Sequence, residues 1–200
     1  MYLCGFCGNE IDLHHRDQLC SCGVPFRQGI IYKHVINYNN LSIYNTSSTD
    51  IIHQKFKDLQ QYTCSEYYDD ATDHEVMHQD LCNLTFENES FDMVITQDII
   101  EHVIDPFKAL NEINRVLRPN GFHLWTIPID EDIETASCTY ELYHGDPLRE
   151  CGIKVYTLFG FDIIDMIPNT SIIEKYIIFE KVENLNYNLY ILKTIKTPCE

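Results

Sequence analysis

The chain predicts an α/β fold, a mostly parallel sheet closed by an antiparallel hairpin, with a small metal-binding module ahead of it. Three observations carry that expectation. From Asn40 onward, short β-branched or aromatic runs alternate with helical patterns, which is the text of βαβ units and a parallel sheet. Near the C-terminus, Ser171 to Phe179 and Tyr187 to Ile195 read as strands joined by a connection too short for a crossover helix, so they pair antiparallel. At the other end, four of the nine cysteines fall within the first 22 residues.

The cysteines come as two tight pairs, Cys4-Gly5-Phe6-Cys7-Gly8 and Cys20-Ser21-Cys22-Gly23, separated by twelve residues. A short cysteine turn followed by glycine lets the backbone reverse so that both thiolates face one ion. Four thiolates make a closed tetrahedral site, so Cys4, Cys7, Cys20 and Cys22 are the expected ligands of a structural Zn2+. The C-x-C spacing of the second pair departs from the commoner C-x-x-C, and His14 and His15 are substitute ligands. Four unrelated thiols are the plainer alternative, against which the paired spacing argues. A loop this short builds no core of its own, so the metal would supply its folding energy. Residues 1–30 are expected to form the knuckle and 31–200 the α/β domain, with Val24 to Asn40 a connector holding one strand or helix. No Gly/Ser linker separates the parts, which predicts that the knuckle packs on the domain.

Taken in order, Leu41-Ser42-Ile43-Tyr44 is the first strand, and a helix from about Asp50 to Leu59 turns Ile52, Phe56 and Leu59 to one face. Tyr62 to Tyr67 is a second strand and Glu75 to Gln79 a short third. Phe91 to Thr96 is a buried strand. Asp105 caps a helix with Pro106 at its first position, where a missing N–H costs nothing. Phe107, Leu110, Ile113, Val116 and Leu117 recur at helical spacing as its core face, and Pro119-Asn120-Gly121 ends it in a turn. Phe122 to Ile129 is the next strand, in which His123 is expected to be packed. About forty residues then precede the hairpin, little room for a lid, so a shallow acceptor pocket is expected.

Composition narrows the partners. Of the 200 residues 44% are apolar, enough for a packed core. Only 14 Lys and Arg face 31 carboxylates, a formal charge of −17. That balance argues against a phosphate-tracking surface and against anionic membranes, so neither nucleic acid nor membrane is an expected partner. No apolar run approaches bilayer length, and Met1-Tyr2-Leu3-Cys4 lacks a signal's basic start and apolar stretch. A cytoplasmic location is expected, with Cys64, Cys82, Cys138, Cys151 and Cys199 as free thiols.

The segments Asp80-Leu81-Cys82-Asn83-Leu84-Thr85-Phe86, Ser90-Phe91-Asp92-Met93-Val94, Glu101-His102-Val103-Ile104-Asp105-Pro106 and Arg115-Val116-Leu117-Arg118-Pro119-Asn120-Gly121, in that order, resemble the class I S-adenosylmethionine-dependent methyltransferases. Tyr143-His144-Gly145-Asp146-Pro147-Leu148, with Phe159-Gly160-Phe161-Asp162, looks like a bacterial subgroup in which a cysteine knuckle precedes the fold. The resemblance implies a Rossmann-like sheet, S-adenosylmethionine as cofactor, and methyl transfer to a small-molecule or glycan-like acceptor. A catalytically inactive relative kept as a binding or assembly module is the alternative, and a zinc-knuckle adaptor ranks behind it.

The same resemblance implies a map of the pocket. Glu66 matches the acidic residue that takes both ribose hydroxyls, and Asp80 the acceptor for the adenine amino group, with Leu81 beside the ring. Gln97 and Asp98 fall level with the methionine part. The alternative for Glu66 and Asp80 is an ordinary surface carboxylate. Where the family has a Gly-rich loop, this chain has Tyr44-Asn45-Thr46-Ser47-Ser48-Thr49-Asp50 without glycine. Asn45 is then the candidate for a left-handed backbone. The hydroxyls of Thr46, Ser47, Ser48 and Thr49 are candidates to bond the methionine carboxylate, one of them also capping the next helix.

His102 is a candidate general base, although a packed histidine bonding backbone is the favoured reading. Tyr143 and His144 are alternative bases, set against a plain turn at Gly145-Asp146-Pro147.

Overall fold

The computed structural model describes residues 2–11, 19–69, 74–146, 148–182 and 185–198. His14, His15, Pro147 and Cys199 lie outside the described residues. The chain opens with β1 (Tyr2–Leu3), β2 (Glu10–Ile11) and α1 (Phe26–Val35), which occupies the connector. The domain continues through β3 (Ile43–Asn45), α2 (Ile51–Phe56), β4 (Tyr62–Glu66), β5 (Met77–His78), β6 (Phe91–Gln97), a 3-10 turn (Ile100–His102), α3 (Pro106–Val116) and β7 (Leu117–Asp130). Four short strands follow, β8 (Ala136–Ser137), β9 (Tyr143–Asp146), β10 (Arg149–Lys154) and β11 (Thr157–Leu158), then α4 (Ile163–Met166) and the hairpin β12 (Thr170–Val182) and β13 (Leu185–Ile195).

A seven-stranded sheet in the order β12-β13-β7-β6-β3-β4-β5 is the frame. The strands from β7 to β5 are parallel, and β13 runs antiparallel to both β7 and β12. Alternation along the strands sorts the apolar residues into two layers. Ile43, Met93, Ile95, Leu124 and Ile191 point to a layer shared with Ile30, Ile31 and Val35 of α1 and with Ile52 and Phe56 of α2. Tyr44, Val94, Trp125, Ile127, Tyr190 and Leu192 point to the other, shared with Ala109, Ile113 and Val116 of α3. Cys4, Ile11, Cys20 and Val24 belong to the first layer, so the cysteine segment and the sheet are packed into one apolar cluster.

Local chemistry explains the helix starts. Asp105 accepts from the Lys108 N–H at 2.9 Å, and Pro106 follows it. The start of α2 departs from expectation, because Asp50 accepts from the His53 N–H at 2.7 Å and no hydroxyl of the preceding loop serves as cap. The expected turn at Pro119 to Gly121 is a bulge inside a strand. Leu117 is already extended and pairs with Phe91, and the next paired residues are Met93 and Phe122. The extra residues loop out with Asn120 at φ 65°. Gly121 is required there, since a Cβ would meet the carbonyl oxygens of Arg118 at 2.8 Å and Asp92 at 3.0 Å. Among the described residues, no helix is long and apolar enough to cross a membrane.

Candidate functional site

The strand order reverses between β3 and β6, and the loops leaving the C-terminal ends of adjacent parallel strands part there to leave a crevice. A cavity of 520 Å³ occupies it, and Thr46, Glu66, Asp80, Leu81, His102 and Arg149 are among its walls. That volume is in the range of small-molecule and cofactor sites. The stretch between β7 and the hairpin, expected to leave the pocket shallow, instead builds a wall. Its β9–β10 ladder contributes Arg149 and Cys151 to Lys154. Arg149 clasps that ladder to the loop after β4, donating to Asp69 at 2.8 Å and to the Tyr67 carbonyl at 2.9 Å, and to Asp146 at 2.8 Å on its own side.

Of the residues expected to bind cofactor, Tyr44, Thr46, Glu66, Asp80 and Leu81 line the cavity, and Asn45, Ser47 and Gln97 are not part of its wall. Glu66 ends β4. Its Oε1 accepts from the Ser48 N–H at 2.5 Å and the Ser48 hydroxyl at 2.8 Å, while burial pushes its carboxyl above the usual range. Asp80 Oδ1 accepts from the Cys82 N–H at 2.8 Å, which fixes the turn carrying Leu81. Tyr44 is buried, with its hydroxyl 2.7 Å from Ser65 Oγ, and its ring stacks on Phe91.

The glycine-free loop differs from expectation in two ways. Asn45 is not left-handed: it is the last residue of β3, and among the described residues the positive-φ positions other than glycine are Glu89, Asp98, Asn120 and Asn169. Its buried amide instead donates to the Ser47 carbonyl at 2.8 Å, to Asp50 and to the Tyr62 hydroxyl. The hydroxyls are also engaged within the fold. Thr46 donates to the Ile95 carbonyl at 3.1 Å, Ser47 pairs with Thr49, and Ser48 holds Glu66. Gln97 reaches back to the same Asp50 at 2.6 Å. Asp50 thus gathers donors from three directions, and burial still lifts its carboxyl to about 6. Side chains here do the work of tightening a turn that glycine would do with backbone alone.

His102 sits in the wall with Nδ1 donating to the Lys154 carbonyl at 2.8 Å, as a packed, backbone-bonded histidine should. Burial holds it neutral, with its pKa lowered to about 4. His144 packs edge-on against it, ring centroids 5.1 Å apart, and Tyr143 is half exposed on β9 outside the wall. Beside both imidazoles lies Glu101, fully buried, its carboxyl pushed well above the usual range by burial and by the Asp98 carboxylate. Glu101 has no role assigned from the sequence. The signal available was its place among Ile99, Ile100, Val103 and Ile104, apolar text that surrounds a lone acid. Arg149 and the Arg27–Asp98 ion pair (2.6 Å) carried no sequence signal, since their partners are up to 82 residues away.

The four N-terminal thiols converge. Cys4 and Cys22 sulfurs are 3.9 Å apart, Cys7 and Cys20 sulfurs 3.4 Å, and all four lie within 4.8 Å of one another. Sulfurs bound tetrahedrally at about 2.3 Å from one zinc stand about 3.8 Å apart, which fits this set. Gly8 and Gly23 close the two turns at φ 79° and 83°, donating to the Cys4 and Cys20 carbonyls at 2.8 Å.

Residues 36–125 match the family model described as a methyltransferase domain. The match ends inside β7 and takes in β3 to β6, which supply Thr46, Glu66, Asp80 and His102 to the cavity, while the wall from Arg149 to Tyr156 lies beyond it. No curated protein matches the chain by sequence. Among solved structures, a SAM-dependent methyltransferase from Methanosarcina mazei is similar with a TM-score of 0.54 at 13% identity, covering 83% of this chain and 98% of that one. The 1,6-didemethyltoxoflavin-N1-methyltransferase of Burkholderia thailandensis, with bound 1,6-didemethyltoxoflavin and S-adenosylhomocysteine, gives 0.51 at 11% identity, covering 86% and 77%. An S-adenosylmethionine-dependent methyltransferase from Clostridium acetobutylicum gives 0.51 at 12%, covering 86% and 91%. The chain has the Rossmann-like methyltransferase fold, its mostly parallel sheet ending in an antiparallel hairpin.

Proposed function

We propose that the chain is an S-adenosylmethionine-dependent methyltransferase acting on a small-molecule or glycan-like acceptor. The observation that carries this reading is the cavity at the strand-order reversal, where Glu66, Asp80 and Leu81 come together within the matched methyltransferase segment. Glu66 would accept the ribose hydroxyls and Asp80 the adenine amino group, with Leu81 against the ring. A carboxylate has lone pairs enough for both ribose bonds. S-adenosylmethionine supplies a sulfonium-bound methyl, already on a good leaving group, so the protein's main task is alignment. The Arg149 clasp keeps the acceptor-side wall over the cavity and limits its access to water.

A base is needed only for a hydroxyl or protonated amine acceptor. His102 stands on the wall, and Tyr143 and His144 are not part of it. The acidic balance supports small neutral or cationic acceptors over nucleic acid or anionic membrane, and a cytoplasmic setting suits the free thiols. Cys4, Cys7, Cys20 and Cys22 would hold a structural Zn2+, which the converging sulfurs support.

The second reading, a binding or assembly module without transfer activity, is favoured by one observation: Ser48 already occupies Glu66 Oε1 and the loop hydroxyls are engaged. Calorimetric titration with S-adenosylmethionine and S-adenosylhomocysteine separates the two. Micromolar binding that Glu66→Ala weakens by at least about tenfold supports the enzyme, since one lost charged hydrogen bond is worth about 1.5–3 kcal/mol. A folded protein that gives no heat leaves the second reading standing.

A further inference from the structure

Glu101, His102 and His144 are held in a geometry that hydrogen bonding among them does not explain. Glu101 Oε1 is 3.7 Å from His102 Nε2 and 3.9 Å from His144 Nδ1, beyond hydrogen-bond length in both cases. One ligand atom from each of the three lies within 4.8 Å of the others. Both carboxylate oxygens of Glu101 are fully buried without a hydrogen-bond partner. Buried carboxylates are paired, protonated or bound to metal, because desolvation of an isolated charge is too costly.

The imidazole next to it is oriented as metal-binding histidines are. The Lys154 carbonyl can only accept, so His102 Nδ1 carries the proton and Nε2 presents its lone pair toward Glu101. That second hydrogen bond fixes ring orientation and tautomer, the usual support of a ligating histidine. Ligand atoms about 2.1 Å from a shared ion stand about 3.4 Å apart in a tetrahedral and about 3.0 Å apart in an octahedral arrangement, so a bound ion would draw the three groups together by a few tenths of an ångström from the 3.7 and 3.9 Å seen here.

We propose that Glu101, His102 and His144 form a second metal site, a two-histidine, one-carboxylate set for a divalent transition metal of the zinc or iron(II) type. The site is separate from the cysteine cluster and does not depend on the methyl-transfer reading. Three protein ligands leave coordination positions open, the arrangement of catalytic and not of structural sites. His102 is part of the cavity wall, so an ion held here borders the cavity. The Nε2 lone pair then belongs to the metal, which removes His102 from any role as a base.

The test uses the full chain, stripped of metal under reducing conditions and titrated with Co2+ and, in parallel, Zn2+. Thiolate-bound Co2+ shows intense near-ultraviolet charge transfer, whereas a histidine–carboxylate site shows only weak visible bands. The expected result is an equivalent of metal bound without thiolate absorption, retained in Cys7→Ser and lost in His144→Ala. Affinity at that site should fall on the order of 100-fold or more in His144→Ala. His144 is partly exposed, which keeps that variant's folding secure, and Glu101→Gln, close in shape, gives an independent second readout. Metal confined to thiolate-type sites, or an N/O-type equivalent unchanged in both folded variants, overturns the proposal and leaves Glu101 as a buried neutral acid.

Discussion

Single side chains in this protein are governed by burial first and partners second. His123 is the plainest case. It is fully buried in β7, its Nε2 lies 2.9 Å from Thr96 Oγ1, and its ring stacks on Trp125. Burial lowers its pKa from 6.5 to about 3. Above pH 6.5 neither the folded nor the unfolded chain carries this charge, and the residue gives no pH dependence. Between about 6.5 and 3 only the unfolded chain takes up the proton, so stability is lost as pH falls, by up to about 1.4 kcal/mol per pH unit. His123→Phe should cost about 1 kcal/mol at pH 7 by stranding Thr96, yet lose less stability between pH 6 and pH 4. Urea midpoints at those pH values check this, and an unchanged acid slope would refute it. Glu66 follows the opposite logic: burial raises its carboxyl, and the Ser48 N–H and hydroxyl counter that, keeping a charge available at the strand end.

At the scale of elements, the ends matter more than the middles. Asp105 and Pro106 start α3 three residues after His102, with the Asp105 side chain as its cap. Asp105→Ala should lower stability by about 1 kcal/mol, the usual cost of a lost N-cap. Thermal or denaturant unfolding measures it, and no change would mean the cap is idle. The bulge at the start of β7 is a stricter constraint. Gly121→Ala places a methyl against two carbonyl oxygens at 2.8 and 3.0 Å, so a loss of about 1–3 kcal/mol is expected, with the β6–β7 register disturbed nearby. An alanine variant as stable as the parent would show that the bulge relaxes freely.

Across the whole molecule, the cysteine segment and the sheet are mechanically joined. A Cβ on Gly5 would meet the Gly29 carbonyl oxygen of α1 at 2.1 Å, and Cys4 and Cys20 lie in the same apolar layer as Ile43 and Met93. Gly5→Ala should therefore push the segment off α1 and lower the melting temperature of the entire chain in one transition. Chelation of the proposed zinc should do the same, since metal binding here is folding energy. Calorimetry distinguishes this from an independent knuckle, which would melt separately and leave the main transition in place. The Lys33 and His34 contacts to Glu174, at 2.7 and 3.2 Å, tie α1 to the far edge strand as well.

By itself the sequence determined the α/β class, the crossover strands, the antiparallel hairpin, the Asp105-Pro106 helix start and the pairing of four cysteines. These are legible because each rests on periodicity or on interactions spanning a few residues. It also set Glu66, Asp80 and Leu81 as candidates, through their order along the chain. Only the tertiary structure decided what depends on distant partners. Asp50 displaced the loop hydroxyls as helix cap because burial offered it Asn45 and Gln97 as further donors. Leu117 went straight into a strand because Phe91 was there to pair with it. The wall built from 149–156, and the meeting of Glu101 and His102 with His144 more than forty residues later, arise from the packing of the separate β9–β10 ladder over the C-terminal ends of the sheet strands. No local pattern encodes that meeting, because it rests on packing between segments far apart in the chain, on top of the two separate apolar layers that cover the faces of the sheet.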